Sequence, residues 1–468
     1  MLFNSYTFLL FFGFVFGLFR AVPGWKAKKS VLLVASYLFY AAWSPPYVLL
    51  LLLSTVVDWL LARQIGRSNV QRTRFLWLLL SLACNLGMVA YFKYGNFLLE
   101  NWVAMMHAVG IAYQPLRADI VLPIGISFYT FASLSYTVDV YRRELDGKTG
   151  LADYALFVSY FPHLVAGPIV RASYLLPQIA QERRATSNQI AWGVSLTIIG
   201  LASKVVMADA ILMPVVDRFY AAPEKWSMPD AWIAVLSFAG QIYYDFSGYS
   251  LCAIGLALCF GFAFPDNFRH PYGARGFSDF WRRWHISLSS WLRDYLYIPL
   301  GGNRHGAART YLALMLTMLA GGLWHGASWM FVLWGGLHGA YLVLESSLRK
   351  PKLALDSMRA YGWYDLLTFA VVTLTWIPFR APTSTSALNV LESLSGVSRL
   401  ANPDLPAMIA LVAMLLTVRL RVALRDSSLE SLLAKAGVAG QVLVLSTCLI
   451  GLYLCSGGDQ HAFIYFQF

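Results

Sequence analysis

A histidine in a long uncharged stretch is the feature of this sequence best suited to chemistry. His325 lies in GGLWHGASWMFVLWGGLHG, inside the run Thr310–Leu344, which contains no Asp, Glu, Lys or Arg. Ionisable residues at membrane depth are costly and therefore often functional. A neutral imidazole at such a place can take a proton from a hydroxyl, which is the work of a general base. The alternative is a structural histidine that binds a carbonyl of a neighbouring helix.

Two further histidines are candidates for the same chemistry. His338 follows His325 in the same run, and a continuous helix would hold the two about 20 Å apart. That separation favours a structural role for His338, with a proton relay as the alternative. His285 lies in a tryptophan-rich segment. It either meets His325 inside the fold or binds locally as an interfacial residue, and the spacing alone does not decide.

Other polar residues stand between apolar runs. Asp245 is expected to pair with an arginine, for example Arg282 or Arg293, more than to take part in catalysis. His163 lies in YFPHLVAGPIVR. The prolines and glycine of that segment predict a re-entrant or broken stretch that lines a cavity.

Several common motifs of enzymes are missing from the sequence. It contains no Walker-type or GxGxxG loop, no HExxH and no GxSxG elbow, and its histidines do not cluster at the spacing of metal ligands. Neither a nucleotide-driven engine nor a metal site is therefore indicated. Asp58 and Lys204 are interpreted as helix-packing or snorkelling groups.

Long apolar runs must position these residues, since about 20 apolar residues suffice to cross a bilayer. The Ser44-Pro45-Pro46 sequence predicts a tight turn between two short spans. The run Thr310–Leu344 is long enough for two spans, with a break expected near Gly321-Gly322 or Gly335-Gly336. About ten to twelve spans are predicted in total. The strong runs are Met1–Phe19, Ser30–Val57, Phe75–Phe92, Ile120–Val138, Ala185–Ser203, Phe246–Pro265, Thr310–Leu344 and Ala436–Gly458, and weaker ones lie around 152–169, 231–244, 366–379 and 405–418.

The segment Gly276–Leu300, GFSDFWRRWHISLSSWLRDYLYIPL, is too charged to span a membrane. Ser278 is expected to cap a helix there, and Asp279 suits its first turn. The segment therefore predicts one interfacial or partly embedded amphipathic helix. Its apolar face would consist of Trp281, Trp284, Leu288, Trp291 and Tyr295.

Composition supports a membrane protein. Of the 468 residues, 58% are hydrophobic and only 13% are charged, so lipid is the natural solvent for the apolar excess. The net charge of +12 lies mainly in short clusters between apolar runs. This arrangement favours contact with anionic lipid headgroups and disfavours nucleic-acid binding. The basic clusters on both sides of the Ser30–Val57 run predict a cytoplasmic location for both its ends, with a retained first span before it.

These segments resemble the membrane-bound O-acyltransferase family. FWRRWHISLSSWLRDYLYIPLGGNR is similar to the long family signature, and GGLWHGASWMFVLWGGLHG is similar to the segment that carries the invariant histidine. YFPHLVAGPIVR, IYYDFSGYS and the ending FIYFQF resemble the bacterial exopolysaccharide branch, whose members acetylate polymers such as alginate or cellulose. The resemblance extends over nearly the whole chain and is strongest between about 155 and 345.

The resemblance implies an all-α integral membrane fold of about 11 transmembrane helices, with re-entrant and amphipathic helices around a central tunnel. Residues 1–468 would form this single membrane domain. His325 would be the essential histidine. His285 would be the second active-site residue, at a position where eukaryotic relatives often carry asparagine. The candidate substrate contacts are Arg282, Arg293, Asp245, Asn303 and Trp324.

The resemblance also implies the reaction and its partners. Acetyl groups from a cytosolic donor, acetyl-CoA, would pass across the bacterial inner membrane, with no bound cofactor or metal. A separate periplasmic esterase-like acetyltransferase and the polysaccharide synthesis machinery would be partners. His325 would take the proton of the acceptor hydroxyl, while His285 would orient the acceptor or polarise the acyl carbonyl.

Two questions stay open at this level. The basic residues Arg282, Arg283, Arg293 and Arg304 could attract the phosphates of coenzyme A or bind lipid headgroups. The rival function is a transporter or scaffold that moves a polysaccharide without making or breaking bonds, since many spans and broken helices suit both.

Overall fold

The computed structural model describes residues 1–115, 120–165, 167–348, 363–396, 404–424, 426–455 and 463–464. Over these ranges the chain is helical and has no strand, which confirms the all-α prediction. The chain folds into two units. The first unit comprises Met1–Val194 and Ala253–Pro265, and the second comprises Ser195–Cys252 and Asp266–Phe468.

The first unit begins with a helical hairpin whose turn the sequence predicts correctly. The chain leaves the helix after Ala41 and starts the next one at Pro45, where the missing N–H of proline costs nothing. The helices of this unit are α1 (Tyr6–Ala21), α2 (Trp25–Ala41), α3 (Pro45–Arg67), α4 (Gln71–Ala108), α5 (Ile126–Tyr141), α6 (Leu151–Ser159), α7 (Phe161–Leu164) and α8 (Ala172–Ala180). Helices α9 (Ser187–Ala202) and α11 (Met228–Cys259) contribute to both units.

Two predicted polar positions lie inside the first unit. His163 is buried on the short helix α7, where its Nε2 lies 2.9 Å from the Phe157 carbonyl. The four-residue length of α7 confirms the predicted break, and the lining of a cavity by this segment stays a prediction. Asp58 is buried on α3 and accepts hydrogen bonds from Ser81 and Asn85 of α4 at 2.8 and 2.7 Å. Asp58 thus joins two helices, as its interpretation as a packing group requires.

The second unit contains the candidate catalytic residues. Its helices besides the shared ones are α10 (Met213–Ala221), α12 (Phe277–Arg283), α13 (Ile286–Leu292), α14 (Ala307–His325), α15 (Trp329–Leu348), α16 (Trp363–Arg380), α17 (Ser384–Ser395), α18 (Leu405–Ala423) and α19 (Leu429–Cys455). Two π-helices, Ser203–Leu212 and Arg293–Tyr297, interrupt the α-helical pattern. Such wider turns are rare and occur often at functional sites.

Six helices of the described chain are long and apolar enough to cross a membrane. Of the most apolar stretch of α11, 78% is buried within the protein, against 17% for α4 and 0% for α19. Leucines on the outer helices stay exposed, as lipid contact allows. Helix α11 is therefore an internal element. The total of ten to twelve spans stays a prediction.

The run Thr310–Leu344 does form two helices, but the predicted place of the break is wrong. The chain turns at Gly326–Ser328, directly after His325, and Gly326 has an extended backbone with φ −164° and ψ 156°. The glycine pairs serve a different purpose, because α14 and α15 pack closely where Gly322 meets Gly335. A Cβ on Gly335 would clash with the Met318 carbonyl oxygen.

The close packing of α14 against α15 can be tested at Gly335, with the neighbouring Gly336 as the control. Gly335→Ala is expected to destabilise the protein by about 1–3 kcal/mol, because the new methyl must push the two helix backbones apart. Gly336→Ala should be neutral or stabilising by up to about 1 kcal/mol, since its Cβ would meet only a Leu319 side-chain carbon at 3.7 Å. Thermal unfolding in detergent measures both. Equal melting temperatures for the two variants would contradict the close packing.

The segment Gly276–Leu300 is not one amphipathic helix. It is divided at His285 into α12 and α13, and Trp284, Leu288 and Trp291 are buried in the protein instead of lying at an interface. Helix α12 is capped by Gly276 and not by Ser278, whose backbone N–H donates to the Glu345 carboxylate at 2.7 Å. Asp279 does lie in the first turn. Tertiary packing therefore overrides the local amphipathic pattern.

Candidate active site

His325 is enclosed by aromatic rings at the end of α14. The residue is 3% exposed. The ring centroids of Trp324, Trp334 and Phe379 lie 4.8, 5.0 and 5.2 Å from the imidazole centroid, all at steep angles. The chain turns immediately afterwards at Gly326, where a Cβ would clash with a phenylalanine ring. The fold thus holds this imidazole away from bulk water, so that a reaction there would be shielded from solvent.

His285 stands at the break between α12 and α13 with a fully buried side chain. Its backbone is left-handed, with φ 43° and ψ 54°, a conformation uncommon for residues other than glycine and found often at functional sites. Its ring lies between Phe246, at 4.5 Å, and Trp324, at 5.6 Å. A continuous helix would point this side chain elsewhere, so the break itself sets the direction of the imidazole.

Trp324 connects the two candidate histidines. Its indole ring packs against His325, its neighbour in the chain, and against His285 at the break between α12 and α13. The structure therefore brings three of the sequence-predicted site residues into one cluster, which we call the histidine–tryptophan cluster (His285, Trp324 and His325).

His338 also lies near this cluster, and the sequence-based separation from His325 is wrong. The estimate assumed a continuous helix, but α15 folds back along α14. As a result, the Trp334 ring contacts both imidazoles, at 5.0 Å from His325 and 4.7 Å from His338. His338 Nε2 lies 3.3 Å from the Thr375 hydroxyl. One indole ring thus contacts both imidazoles.

A cavity of about 560 Å³ lies in the second unit, beside α12 and α13. Three predicted substrate contacts line it: Arg282, Arg293 and Asn303. Ile286, which directly follows His285, is also part of the wall. The other polar lining residues include Ser278, Ser289, Ser290, Thr310, Thr317 and Glu345. The wall combines apolar side chains with two arginines, and the cationic groups suit a ligand with phosphate groups.

The remaining candidate cations do not line this cavity. Arg283 donates through Nε to Asp279 at 2.8 Å. Arg304 is also not among the lining residues. Glu345, which no sequence motif pointed to, is 3% exposed and receives the Ser278 N–H at the start of α12, a favourable place for a carboxylate.

Asp245 does not pair with Arg282 or Arg293, as the sequence suggested. Its partner is Lys204, which lies in the π-helix Ser203–Leu212 and also donates to Asp209 at 2.8 Å. Lys204 does not snorkel, because it is 3% exposed. The second carboxylate oxygen of Asp245 accepts the Ile464 backbone N–H at 3.1 Å. Neither Asp245 nor Trp324 is among the residues that line the cavity.

No group of three or more His, Cys, Asp or Glu side chains arranged to bind a metal occurs among the residues that the structure describes. The chemical groups gathered in the second unit are therefore buried imidazoles, aromatic walls and a cavity with arginines. Such a set suits proton transfer at a shielded place, and the arginines of the cavity suit an anionic ligand.

The helical membrane fold and this site define a class of protein, and sequence comparison agrees with it. The model of the membrane-bound O-acyltransferase family matches residues 43–374. The chain belongs to this family. It is an O-acyltransferase and a multi-pass protein of the bacterial inner membrane.

Individual relatives define the similarity further. The chain is 42% identical to the "probable alginate O-acetylase" of Azotobacter vinelandii, over 81% of this chain and 75% of the relative. It is 41% identical to the protein of the same description from Pseudomonas aeruginosa, over 84% of this chain and 75% of the relative. It is 37% identical to the peptidoglycan O-acetyltransferase of Helicobacter pylori, over 79% of this chain and 74% of the relative.

Proposed function

We propose that this protein O-acetylates a polysaccharide of the cell envelope or an exopolysaccharide, with acetyl-CoA as the donor. The named relatives act on alginate and on peptidoglycan, and both reactions place an acetyl ester on a sugar hydroxyl. Alginate is the first polymer to test because the relatives with the higher identities carry that description. Cellulose remains a further candidate from the family resemblance.

The observation that carries the proposal is the histidine–tryptophan cluster. Two buried imidazoles contact one indole ring, and a cavity whose wall includes Arg282, Ile286 and Arg293 lies beside α12 and α13. An acyl transfer needs both a proton acceptor and a place for the donor.

The proposed step is direct attack on a thioester. The oxygen of the acceptor hydroxyl forms a bond to the carbonyl carbon of the acetyl group, and the carbon–sulfur bond breaks. His325 takes the proton of the hydroxyl and delivers it to the departing thiolate, so that the products are an acetyl ester and coenzyme A with a free thiol. His285 orients the acceptor or polarises the carbonyl of the acetyl group. The acceptor is a hydroxyl of the sugar or of a partner protein that passes the acetyl group on.

Partners complete the proposed pathway. A periplasmic esterase-like acetyltransferase would receive or place the acetyl group, and the polysaccharide synthesis machinery would supply the polymer. The acetyl group would enter from the cytosol, where acetyl-CoA is made. The enzyme would therefore carry the group across the membrane through its own fold.

The decisive experiment follows the acetyl group. The protein is produced in alginate-producing cells that lack their own alginate O-acetylase, and membranes are prepared from these cells. The membranes are supplied with acetyl-CoA labelled with carbon-14 in the acetyl group. Release of coenzyme A and labelling of the polymer are then measured. Labelled ester that depends on this protein supports the proposal. Polymer that is exported in normal amount without protein-dependent release of coenzyme A would favour a transporter or scaffold.

The cavity gives a prediction for donor binding. The double variant Arg282→Gln with Arg293→Gln is expected to raise the KM for acetyl-CoA about 3- to 10-fold with little change in kcat, because exposed charges attract phosphates only moderately through screening solvent. Kinetics at low and high salt measure this, and the difference from wild type should shrink at high salt. Arg63→Gln, which removes a charge outside the cavity lining, is the control. An unchanged KM in the double variant would remove the cavity from donor binding.

A further inference from the structure

Asn267 is a buried residue that no sequence motif singled out. It is 1% exposed and lies in the loop between α11 and α12. Its backbone carbonyl accepts the Ile286 N–H at 2.9 Å. Its side chain contacts the residues on both sides of that position, His285 and Ser287. Asn267 therefore holds the break between α12 and α13 from outside the two helices.

The orientation of the Asn267 amide follows from its neighbours. The Ser287 backbone N–H points at the side-chain oxygen Oδ1 at 3.3 Å, and a backbone N–H can only donate. The Ser287 hydroxyl donates to the same oxygen at 2.8 Å. On the other side, Nδ2 donates to the Ser250 hydroxyl at 2.9 Å. A flipped amide would set two donors against each other, so Oδ1 is the atom that faces His285.

This orientation determines which nitrogen of His285 carries the proton. His285 Nδ1 lies 3.2 Å from Asn267 Oδ1, and an oxygen of this kind can only accept. Nδ1 therefore donates, and in a neutral imidazole Nε2 is then an acceptor with a free lone pair. The Ser287 hydroxyl lies farther from Nδ1, at 3.5 Å, and its shorter bond goes to Asn267.

The other ring nitrogen is open for a ligand. His285 Nε2 is buried, and no hydrogen-bond partner for it occurs in the part of the chain that the structure describes. A buried acceptor without a partner is costly and rare, and it is expected where a ligand completes the bond. The ring is held on its two sides by Phe246 and Trp324, so it cannot turn freely to exchange its nitrogens.

We infer that Asn267 is a positioning residue that fixes His285 in the tautomer with the proton on Nδ1, so that His285 Nε2 accepts a hydrogen bond from a donor group of the acceptor beside the reacting hydroxyl, whose own proton goes to His325. This inference rests on the proposed function and makes it more specific. A neutral histidine with Nε2 as acceptor cannot donate to the acyl carbonyl oxygen. Of the two roles considered for His285, it thus orients the acceptor, and polarisation of the carbonyl falls to other groups.

The tautomer can be measured directly. The full-length protein is labelled with nitrogen-15 histidine in detergent, and the His285 signals are assigned by their loss in His285→Gln. The wild-type spectrum should show a protonated Nδ1 and an unprotonated Nε2. A proton on Nε2 in the wild type would overturn the inference, and this result does not depend on any variant that might fail to fold.

Two variants of Asn267 then separate positioning from general support. Asn267→Asp keeps an acceptor for Nδ1 and should retain the wild-type tautomer and most of the activity. Asn267→Leu removes the acceptor and should give a mixed or reversed tautomer with kcat lowered about 10- to 100-fold, as expected for loss of an orienting partner. The KM for acetyl-CoA should change little. A leucine variant with the wild-type tautomer and wild-type kcat would contradict the inference.

The experiments distinguish a failure of the proposed function from a failure of the inference about Asn267. Full acetyl transfer by both His285→Ala and His325→Ala would refute the proposed function, whereas the tautomer of His285 is read from the spectrum whether or not the protein is active. If those two variants lose activity and the spectrum shows a protonated Nε2, only the inference about Asn267 fails.

Discussion

Replacing His325 with alanine is expected to lower kcat for acetyl transfer by about 10²- to 10⁴-fold, the usual contribution of a general base. The physical reason is position as much as chemistry. His325 ends α14, the chain turns at Gly326, and the imidazole is enclosed by Trp324, Trp334 and Phe379. No water-exposed group can replace it, since the side chain is almost fully buried.

The measurement is the initial rate of coenzyme A release in membranes that contain equal amounts of folded protein. His325→Gln keeps much of the side-chain volume and hydrogen-bonding capacity but not the basicity, so it should be nearly as impaired as the alanine variant. His107→Ala changes an exposed histidine on α4 and should retain wild-type activity. Wild-type rates in both His325 variants would exclude the general-base role, while loss of folded protein would point to a structural one.

Local signals explain what the sequence predicts well. The turn at Ser44-Pro45 follows from the restricted backbone of proline and of the residue before it, and the structure starts α3 there. The broken segment around His163 follows likewise from Pro162 and Gly167. In each case the relevant interaction lies within a few residues along the chain. The all-α class similarly follows from long apolar runs, because a chain in lipid must satisfy its backbone hydrogen bonds within each helix.

Long-range packing explains what the sequence predicts poorly. The pair Gly322 and Gly335 looked like possible breaks, but their lack of side chains instead allows α14 and α15 to approach closely. The true break follows His325, and it brings His338 back toward the same aromatic layer. A helical wheel assumes continuity and therefore cannot reveal this return. Only the contact between the two helices decides it.

The division of Gly276–Leu300 into two helices shows that long-range packing also limits prediction at the candidate site. The spacing of its tryptophans favours one continuous helix, yet His285 adopts a left-handed backbone that ends α12 and starts α13. Asn267, distant in the sequence, stabilises this arrangement through four hydrogen bonds with residues 285–287. Strained conformations of this kind persist only where surrounding contacts determine them. The candidate residue could be identified from its type, but its orientation could not.

Lys204→Met is expected to destabilise the protein by about 3–5 kcal/mol, the typical cost of removing one partner from a buried ion pair. Lys204 binds two carboxylates, those of Asp209 and Asp245, and all three side chains are at most 11% exposed. The π-helix makes this possible, because residues five positions apart face the same side of its wider turn. Without the ammonium group, two buried carboxylates would remain next to each other in a low-dielectric environment.

Thermal unfolding in detergent measures the loss of stability in Lys204→Met. Unfolding is followed with a thiol-reactive dye, which reaches the buried Cys252 and Cys259 as the protein opens. Lys435→Met makes the same chemical change at an exposed position and should leave the melting temperature near that of the wild type. Lys204→Met combined with Asp209→Asn and Asp245→Asn should recover much of the lost stability, because no unpaired charge is then buried. If Lys204→Met melted together with Lys435→Met, the three charges would contribute nothing to holding α11 against the π-helix. A triple variant that is stable but acetylates slowly would indicate that the hydrogen bond from the Ile464 backbone N–H to Asp245 supports activity as well as folding.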